Sequence, residues 1–277
     1  MAARRSTIRN LADLAVECLI DEVNVSPKPG LVDRRGSGAH CDMTLALMER
    51  SAESLRLAFE EMAYVSWNRR IELSLREDIG RIGRQAEAAM FEATGGVNTH
   101  KGAIWTLGLA VSAAASLQNG TCRELLSRTV SHLANLTDRY AGNQETHGLR
   151  VKRLYGGCGA REEAQAGLPH VFSVGLPMLM QCRHRGDDLW MQNVNALLAI
   201  MATLDDTCVM YRTGPAGLRQ VQKGAVRVLC AGGIGCDAGQ DAFDALEAMM
   251  VRTKASPGGA ADLLAGTFFF DRVAHVI

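Results

Sequence analysis

The sequence predicts an all-α protein, and two observations carry that expectation. Its 277 residues contain 38 Ala, 31 Leu and 12 Met against only 19 Val and 9 Ile, so unbranched helix formers far outnumber the β-branched residues that strands favour. Apolar side chains also recur every third or fourth position through most of the chain, the spacing that puts them on one face of a helix. No Pro/Ser-rich linker, low-complexity tract or solenoid-period repeat divides the sequence, so the expected architecture is a single globular multi-helix domain over 1–277.

Taken in order, amphipathic stripes run through 8–23, 43–62, 71–93, 104–117, 125–136, 190–208, 218–229 and 242–250. In the third, Ile71, Leu75, Ile79, Ile82, Ala86, Ala89 and Ala93 keep the helical spacing throughout. Thr121 with Glu124 reads as a capping box before the fifth stripe, and Ser256-Pro257 as an N-cap followed by proline at the first helical position. That makes about nine or ten helices. The 28 glycines gather between the stripes, at 30–38, 95–102, 156–159, 232–239 and 258–259, where function is to be sought.

Thirty basic and thirty acidic residues cancel, which gives no global field for nucleic acid or an anionic membrane. Any anionic ligand must be held locally. Eight Cys without a C-x-x-C pair suit cytoplasmic core thiols rather than a disulfide scaffold or zinc cluster. Asp13, Glu17, Asp21 and Glu22 interrupt the N-terminal region and leave no signal-peptide core. The uncharged stretch 102–122 is diluted by Thr, Ser, Gln and Asn and reads as a buried helix, not a membrane span.

Four segments carry candidate chemistry, one of them SPGGAAD at 256–262, a glycine-bearing helix start with Asp262 in its first turn, for which a plain capped C-terminal helix is the structural alternative. Segment 27–42 (PKPGLVDRRGSGAHCD) combines two prolines and three glycines with Lys28, Asp33, Arg34, Arg35, His40 and Asp42. This is a stiff charged loop, long for a mere connection. Segment 94–102 (TGGVNTHKG) is a glycine turn opening a helix, where free backbone N–H groups, the positive dipole end and Lys101 would face an anion. It is not a Walker A loop, and Thr99 would serve equally as an ordinary N-cap. Asp205-Asp206 follows Met201 by one turn, beside the stripe 190–208, so the pair is expected to meet a metal, an Arg or a ligand, a salt bridge to Arg212 being the structural alternative.

Five words in order resemble the triphosphoribosyl-dephospho-CoA synthase family: PKPGLVD at 27–33, GAHCDM at 38–43, GGVNTHKG at 95–102, GAREEA at 159–164 and SPGG at 256–259. The resemblance implies an all-helical enzyme that joins the triphosphoribosyl part of ATP to 3′-dephospho-CoA with release of adenine. It also implies that the product passes, through a separate transferase, toward an acyl carrier protein. Such chemistry needs a phosphate cradle, a divalent cation, a base and charge near an oxocarbenium ion. The candidates are Lys28, Gly30, Gly95, Gly96, Asn98, Thr99, His100 and Lys101 for ATP, Asp33, Asp205 and Asp206 for Mg²⁺, and Asp42 with His40 for catalysis. Asp42, the first choice as base, is also a candidate for the metal. Cys208 and Thr213 stand where citrate lyase-type members are expected to carry Asn and Gly, which points to the malonate decarboxylase branch. The same features leave open a magnesium-dependent hydrolase of ADP-ribose-type glycosides and a non-catalytic nucleotide-gated adaptor. They leave room for an oligomer and call for no nucleic acid or membrane partner.

Overall fold

A computed structural model describes residues 2–117, 122–142 and 146–276. It is all-α: thirteen α-helices and no strand among the described residues, the one β-bridge joining Asp33 to Gly36. The helices are α1 (Ala2–Asn24), α2 (Leu45–Ser54), α3 (Arg56–Ser66), α4 (Leu73–Thr94), α5 (Lys101–Leu117), α6 (Arg123–Asn135) and α7 (His147–Tyr155). They continue with α8 (Ala160–Gln165), α9 (Leu176–Arg185), α10 (Leu189–Thr203), α11 (Thr207–Cys230), α12 (Asp237–Thr253) and α13 (Gly258–Arg272).

Three helices are apolar almost all round and therefore sit inside. In α5 every residue from Ala103 to Ala115 except Trp105 is buried; α10 buries Val194 to Met201, and α13 buries Leu263 to Phe270. The amphipathic helices turn their apolar faces to this centre: α1, α3, α4 and α6 pack on α5, and α9 and α11 pack on α10. One buried apolar cluster runs from Ile8 to Val273. None of the described helices alone is long and apolar enough to cross a membrane.

The structure departs from the predicted stripes at particular places. Stripe 43–62 is two helices, broken at the fully buried Leu55, with Thr44 capping the first through a 3.2 Å bond from the Leu47 N–H to its Oγ1. Stripe 190–208 ends at Thr203, so Asp205 and Asp206 lie in the connection between α10 and α11 rather than along a helix face. Helix α11 is kinked where Gly214 (φ 69°) precedes Pro215, whose ring cannot continue the hydrogen-bond ladder. Helices α7 to α9 were not anticipated, since all three are short and two of them flank the glycines at 156–159. Thr121 lies outside the described residues, and Cys122 is the N-cap of α6. Pro257 is the N-cap of α13, with Gly258 its first helical residue.

Candidate active site

Three helix starts, those of α5, α11 and α13, are fastened together by two carboxylates. Asp206 is the N-cap of α11, its Oδ1 accepting the N–H of Cys208 at 2.8 Å and of Val209 at 3.2 Å. Its Oδ2 accepts the Ala260 N–H of α13 at 2.9 Å. Asp262, in the first two turns of α13, accepts the Ala103 N–H of α5 and fills the space over Gly102, where a Cβ would come within 2.0 Å of its Oδ2. Both carboxyls titrate above the ordinary range. Burial is the main cause for each, four backbone N–H groups working against it at Asp206, while Glu22 and Asp206 add their charge at Asp262. Among the described residues neither aspartate is paired with a cation.

The charged loop 27–42 folds onto this junction. Lys28 is buried, and its ammonium donates to the Glu22 carboxylate at 2.7 Å and to the Glu22 carbonyl at 2.8 Å. Asp33 is buried too, and accepts from the Lys28 and Arg35 amides and from the Arg35 guanidinium. Burial would raise its carboxyl, but these donors outweigh it and hold the group below its usual value. Gly30 adopts φ 71° against the Ala255 carbonyl, which a Cβ would approach to 2.4 Å. His40 bridges to the other helices: Ser256 Oγ lies 2.7 Å from Nε2, and Arg212 donates to Nδ1 at 3.2 Å. Since arginine can only donate, Nδ1 is the acceptor and Nε2 carries the proton of a neutral ring. Burial and the Arg212 charge lower the His40 pKa against the pull of Asp42. The Asp42 side chain is 57% exposed, with Oδ1 3.8 Å from Nδ1 of His40.

The glycine turn forms as its spacing suggests. Gly95 closes α4 at φ 65° and Gly96 follows at φ 92°, and a Cβ on either would meet open space. Asn98 Oδ1 accepts the Lys101 N–H at 3.4 Å. Thr99 Oγ1 and Nδ1 of His100 share Ser51 Oγ at 2.5 and 2.8 Å. His100 is 3% exposed, its Nε2 has no hydrogen-bond partner among the described residues, and burial next to Lys28 drives its pKa down to about 3. Lys101 Nζ pairs with Glu87 at 2.8 Å and remains partly accessible. A cationic rim lies alongside. His147 stacks on Tyr211 with ring centroids 3.8 Å apart, Arg150 lies over the Tyr211 ring, and His147 titrates low through burial and the charges of Arg212, Arg150 and Lys101.

The structure thus gathers Lys28, Gly30, His40, His100, Lys101 and Asp206 around one junction, but it separates the expected magnesium ligands. No group of three or more His, Cys, Asp or Glu side chains is placed to hold a metal among the described residues. Asp33 and Asp206 spend their carboxylate oxygens on protein donors, and Asp205 is exposed beside His170, whose pKa it raises behind the stronger effects of Glu163. The donor chemistry does not fit a resident magnesium on these side chains. The site also takes in Glu22, Ser51, His147, Arg150 and Arg212, for which the sequence carries no local signal, and Asp262, which the sequence marks only as an acid in the first turn of the helix start at 256–262.

A sequence model of the ATP:dephospho-CoA triphosphoribosyl transferase (CitG) family matches residues 8–276. The chain belongs to this family. A 2-(5″-triphosphoribosyl)-3′-dephosphocoenzyme-A synthase of Klebsiella pneumoniae is 52% identical over 97% of the chain and 96% of its own length. Probable synthases of the same name from Stutzerimonas stutzeri and Azotobacter vinelandii are each 51% identical, over 97% and 99% of the chain and 93% and 94% of theirs. No solved structure gives a significant match. The family-like words are joined directly or through residues just beside them: His40 lies against Ser256, Gly30 against Ala255 and Gly102 against Asp262, while Trp105 Nε1 donates to the Ala160 carbonyl at 3.1 Å. In this CitG-family chain Cys208 packs beside Gly258 at the foot of α13.

Proposed function

We propose that the chain transfers the triphosphoribosyl part of ATP to 3′-dephospho-CoA and releases adenine. Family membership over nearly the whole length, with relatives of that activity half identical, is the observation that carries this reading. The triphosphate is assigned to the turn 95–101 and the start of α5, where free N–H groups, the dipole, Lys101, Arg150 and Arg212 supply positive potential. Gly30 and Lys28 shape the opposite wall, Lys28 as the counter-charge of Glu22. A divalent ion at this place would arrive with the triphosphate as part of the substrate.

The chemistry exchanges one bond for another at the ribose C1′ carbon. As the C1′–N bond to adenine breaks, a bond forms to the 2′-oxygen of dephospho-CoA. Asp42, accessible and at the rim, takes the hydroxyl proton. Asp262, whose carboxyl is pushed well above its ordinary value by burial and by the charges of Glu22 and Asp206, gives a proton to the departing adenine nitrogen. His40 is a positioning residue, fixing the Asp42 loop to α11 and α13 through Arg212 and Ser256. The product serves as precursor of the prosthetic group of an acyl carrier protein, reached through a separate transferase; Cys208 and Thr213 favour the malonate decarboxylase system. The charge-balanced, disulfide-free chain suits the cytoplasm.

Chromatography of reactions containing ATP with and without 3′-dephospho-CoA tests the proposal. Adenine and the joined nucleotide are expected only when both substrates are present. Adenine with free triphosphoribose in the absence of acceptor would make the protein a hydrolase, and no adenine in either reaction would overturn the transfer.

A further inference from the structure

A second cluster of cations stands near the glycine turn, Arg76 and Arg84 on α4 and Arg161 on α8, and it is left incomplete by the protein. Arg76 of α4 is 6% exposed and lies over the Trp105 ring of α5 with its guanidinium carbon 5.0 Å from the centroid. Its Nε and Nη1 are buried and make no hydrogen bond among the described residues. The nearest carboxylate, Asp138, approaches Nη1 only to 3.9 Å, because its Oδ2 is taken by Arg84 at 2.7 Å and its Oδ1 by the Tyr140 N–H at 2.9 Å. Gly80 admits this arrangement: a Cβ there would stand 2.0 Å from Asp138 Oδ2 and 3.0 Å from Arg76 Nη1. Arg161, on the second residue of α8, is exposed and close enough for its charge to act on Arg76. Helix α8 is tied to the same spot through the Ala160 carbonyl that accepts from Trp105.

Two guanidinium groups, those of Arg76 and Arg84, therefore share the one carboxylate of Asp138, with the charge of Arg161 beside them. A buried donor without a partner is costly and rare in a folded protein, and two on one arginine call for an account. An anion supplies it. Guanidinium forks suit phosphate oxygens, and Arg84, with 41% of its side chain exposed, is free to swing toward a ligand. Once Arg84 leaves Asp138 for phosphate, the carboxylate is released to close the 3.9 Å gap to Arg76.

We infer that Arg76, Arg84 and Arg161 form the subsite for the diphosphate of the acceptor nucleotide. The inference rests on the transfer reaction proposed above, in which two phosphate-bearing nucleotides must be held side by side. Lys101 and Trp105 are one turn apart on one face of α5, so the cluster stands about 6 Å along the helix from the cradle assigned to the donor triphosphate. That cradle already has its own cations, which leaves the arginine cluster to the acceptor.

Titration calorimetry with 3′-dephospho-CoA, ATP and pantetheine, which lacks the diphosphate, tests the assignment on the intact protein. Arg161→Gln is solvent-facing and keeps the fold, as its melting curve would verify; Arg84→Gln and Arg76→Lys extend the series. Each glutamine variant is expected to weaken 3′-dephospho-CoA about tenfold or more, with pantetheine unaffected and the ATP dissociation constant within about twofold. Unchanged 3′-dephospho-CoA affinity in both would make the cluster structural and overturn the inference. A loss confined to ATP would assign the arginines to the donor instead. A parallel product assay separates the two layers: if wild type joins ATP to 3′-dephospho-CoA, the transfer reading stands whatever the arginines do. If it does not, that reading fails and takes the subsite with it.

Discussion

At the scale of single residues, the question is what each carboxylate is for, and hydrogen-bond accounting separates them. Asp206 satisfies N–H groups at the starts of two helices, so its task is architectural. Asp206→Ala would strand the donors of Cys208, Val209 and Ala260. Urea denaturation is expected to show a loss of roughly 2–4 kcal/mol, the sum of a lost cap and incompletely rehydrated donors. A change within error would mean that α11 and α13 do not depend on this link. Asp42 is the opposite case, exposed and bound to no backbone donor. Asp42→Asn should leave stability and ATP affinity nearly intact while turnover falls by about 10²–10⁴, as expected for removal of a general base. Near-normal turnover in a steady-state assay would take Asp42 out of the reaction. A sequence can nominate both aspartates for chemistry, because residue type and loop context are the same for each; only the partners of their oxygens tell them apart.

At the scale of elements, the start of α5 is where loop, helix and charge meet. Lys101 pairs with Glu87 in a half-exposed contact, and such pairs contribute about 0–1 kcal/mol to stability. Lys101→Ala should therefore barely move the melting point while costing ATP binding roughly 1.5–3 kcal/mol, the range for a charge-assisted hydrogen bond to phosphate. Equal ATP affinity by calorimetry would leave the lysine as a solvated helix residue. Two glycines make a paired test of the junction. A methyl at Gly102 would lie 2.0 Å from Asp262 Oδ2, whereas one at Gly259 would lie 3.1 Å from Asp206 Oδ2. Gly102→Ala must displace the Asp262 carboxylate and is expected to abolish adenine release. Gly259→Ala needs a shift of only a few tenths of an ångström and should keep most of it; similar rates in the two variants would contradict the assigned role of Asp262. The glycine turn and the helix that follows it were legible because αL geometry and helix starts have local signatures. The break at 204–206 was not: Leu204 continues the apolar period, and the break is fixed by Asp206 reaching Ala260, 54 positions away.

At the scale of the whole molecule, the helical class was legible because α5, α10 and α13 owe their burial to composition, which the chain states openly. What the sequence hid was the meeting of acids that are distant along it. Glu22, Asp206 and Asp262 face one another from α1, α11 and α13, with Lys28 bound to Glu22. This concentration of acid around few cations opposes stability, and the sign follows from the direction of the shifts. A carboxyl whose folded-state pKa is raised favours the folded state most when protonated. Its contribution is therefore complete below the ordinary carboxyl range and falls as pH climbs toward the raised value.

His100 acts the other way. Its folded pKa is near 3 against an ordinary 6.5, so the unfolded chain binds the extra proton between those values and stability rises with pH across that window. Above about pH 6.5 the histidine adds no further slope. Asp262→Asn keeps the shape and an oxygen to accept the Ala103 N–H, but it has no proton to lose. Its melting temperature should lose the decline with rising pH that the raised carboxyl imposes on wild type above the ordinary carboxyl range. Adenine release should be lost in the same variant, because the amide cannot protonate the departing base. A variant whose melting profile parallels wild type would show that Asp262 is not held protonated in the folded chain. A more stable protein that still turned over would separate the acid cluster from the chemistry, leaving it a feature of how three helix starts are joined.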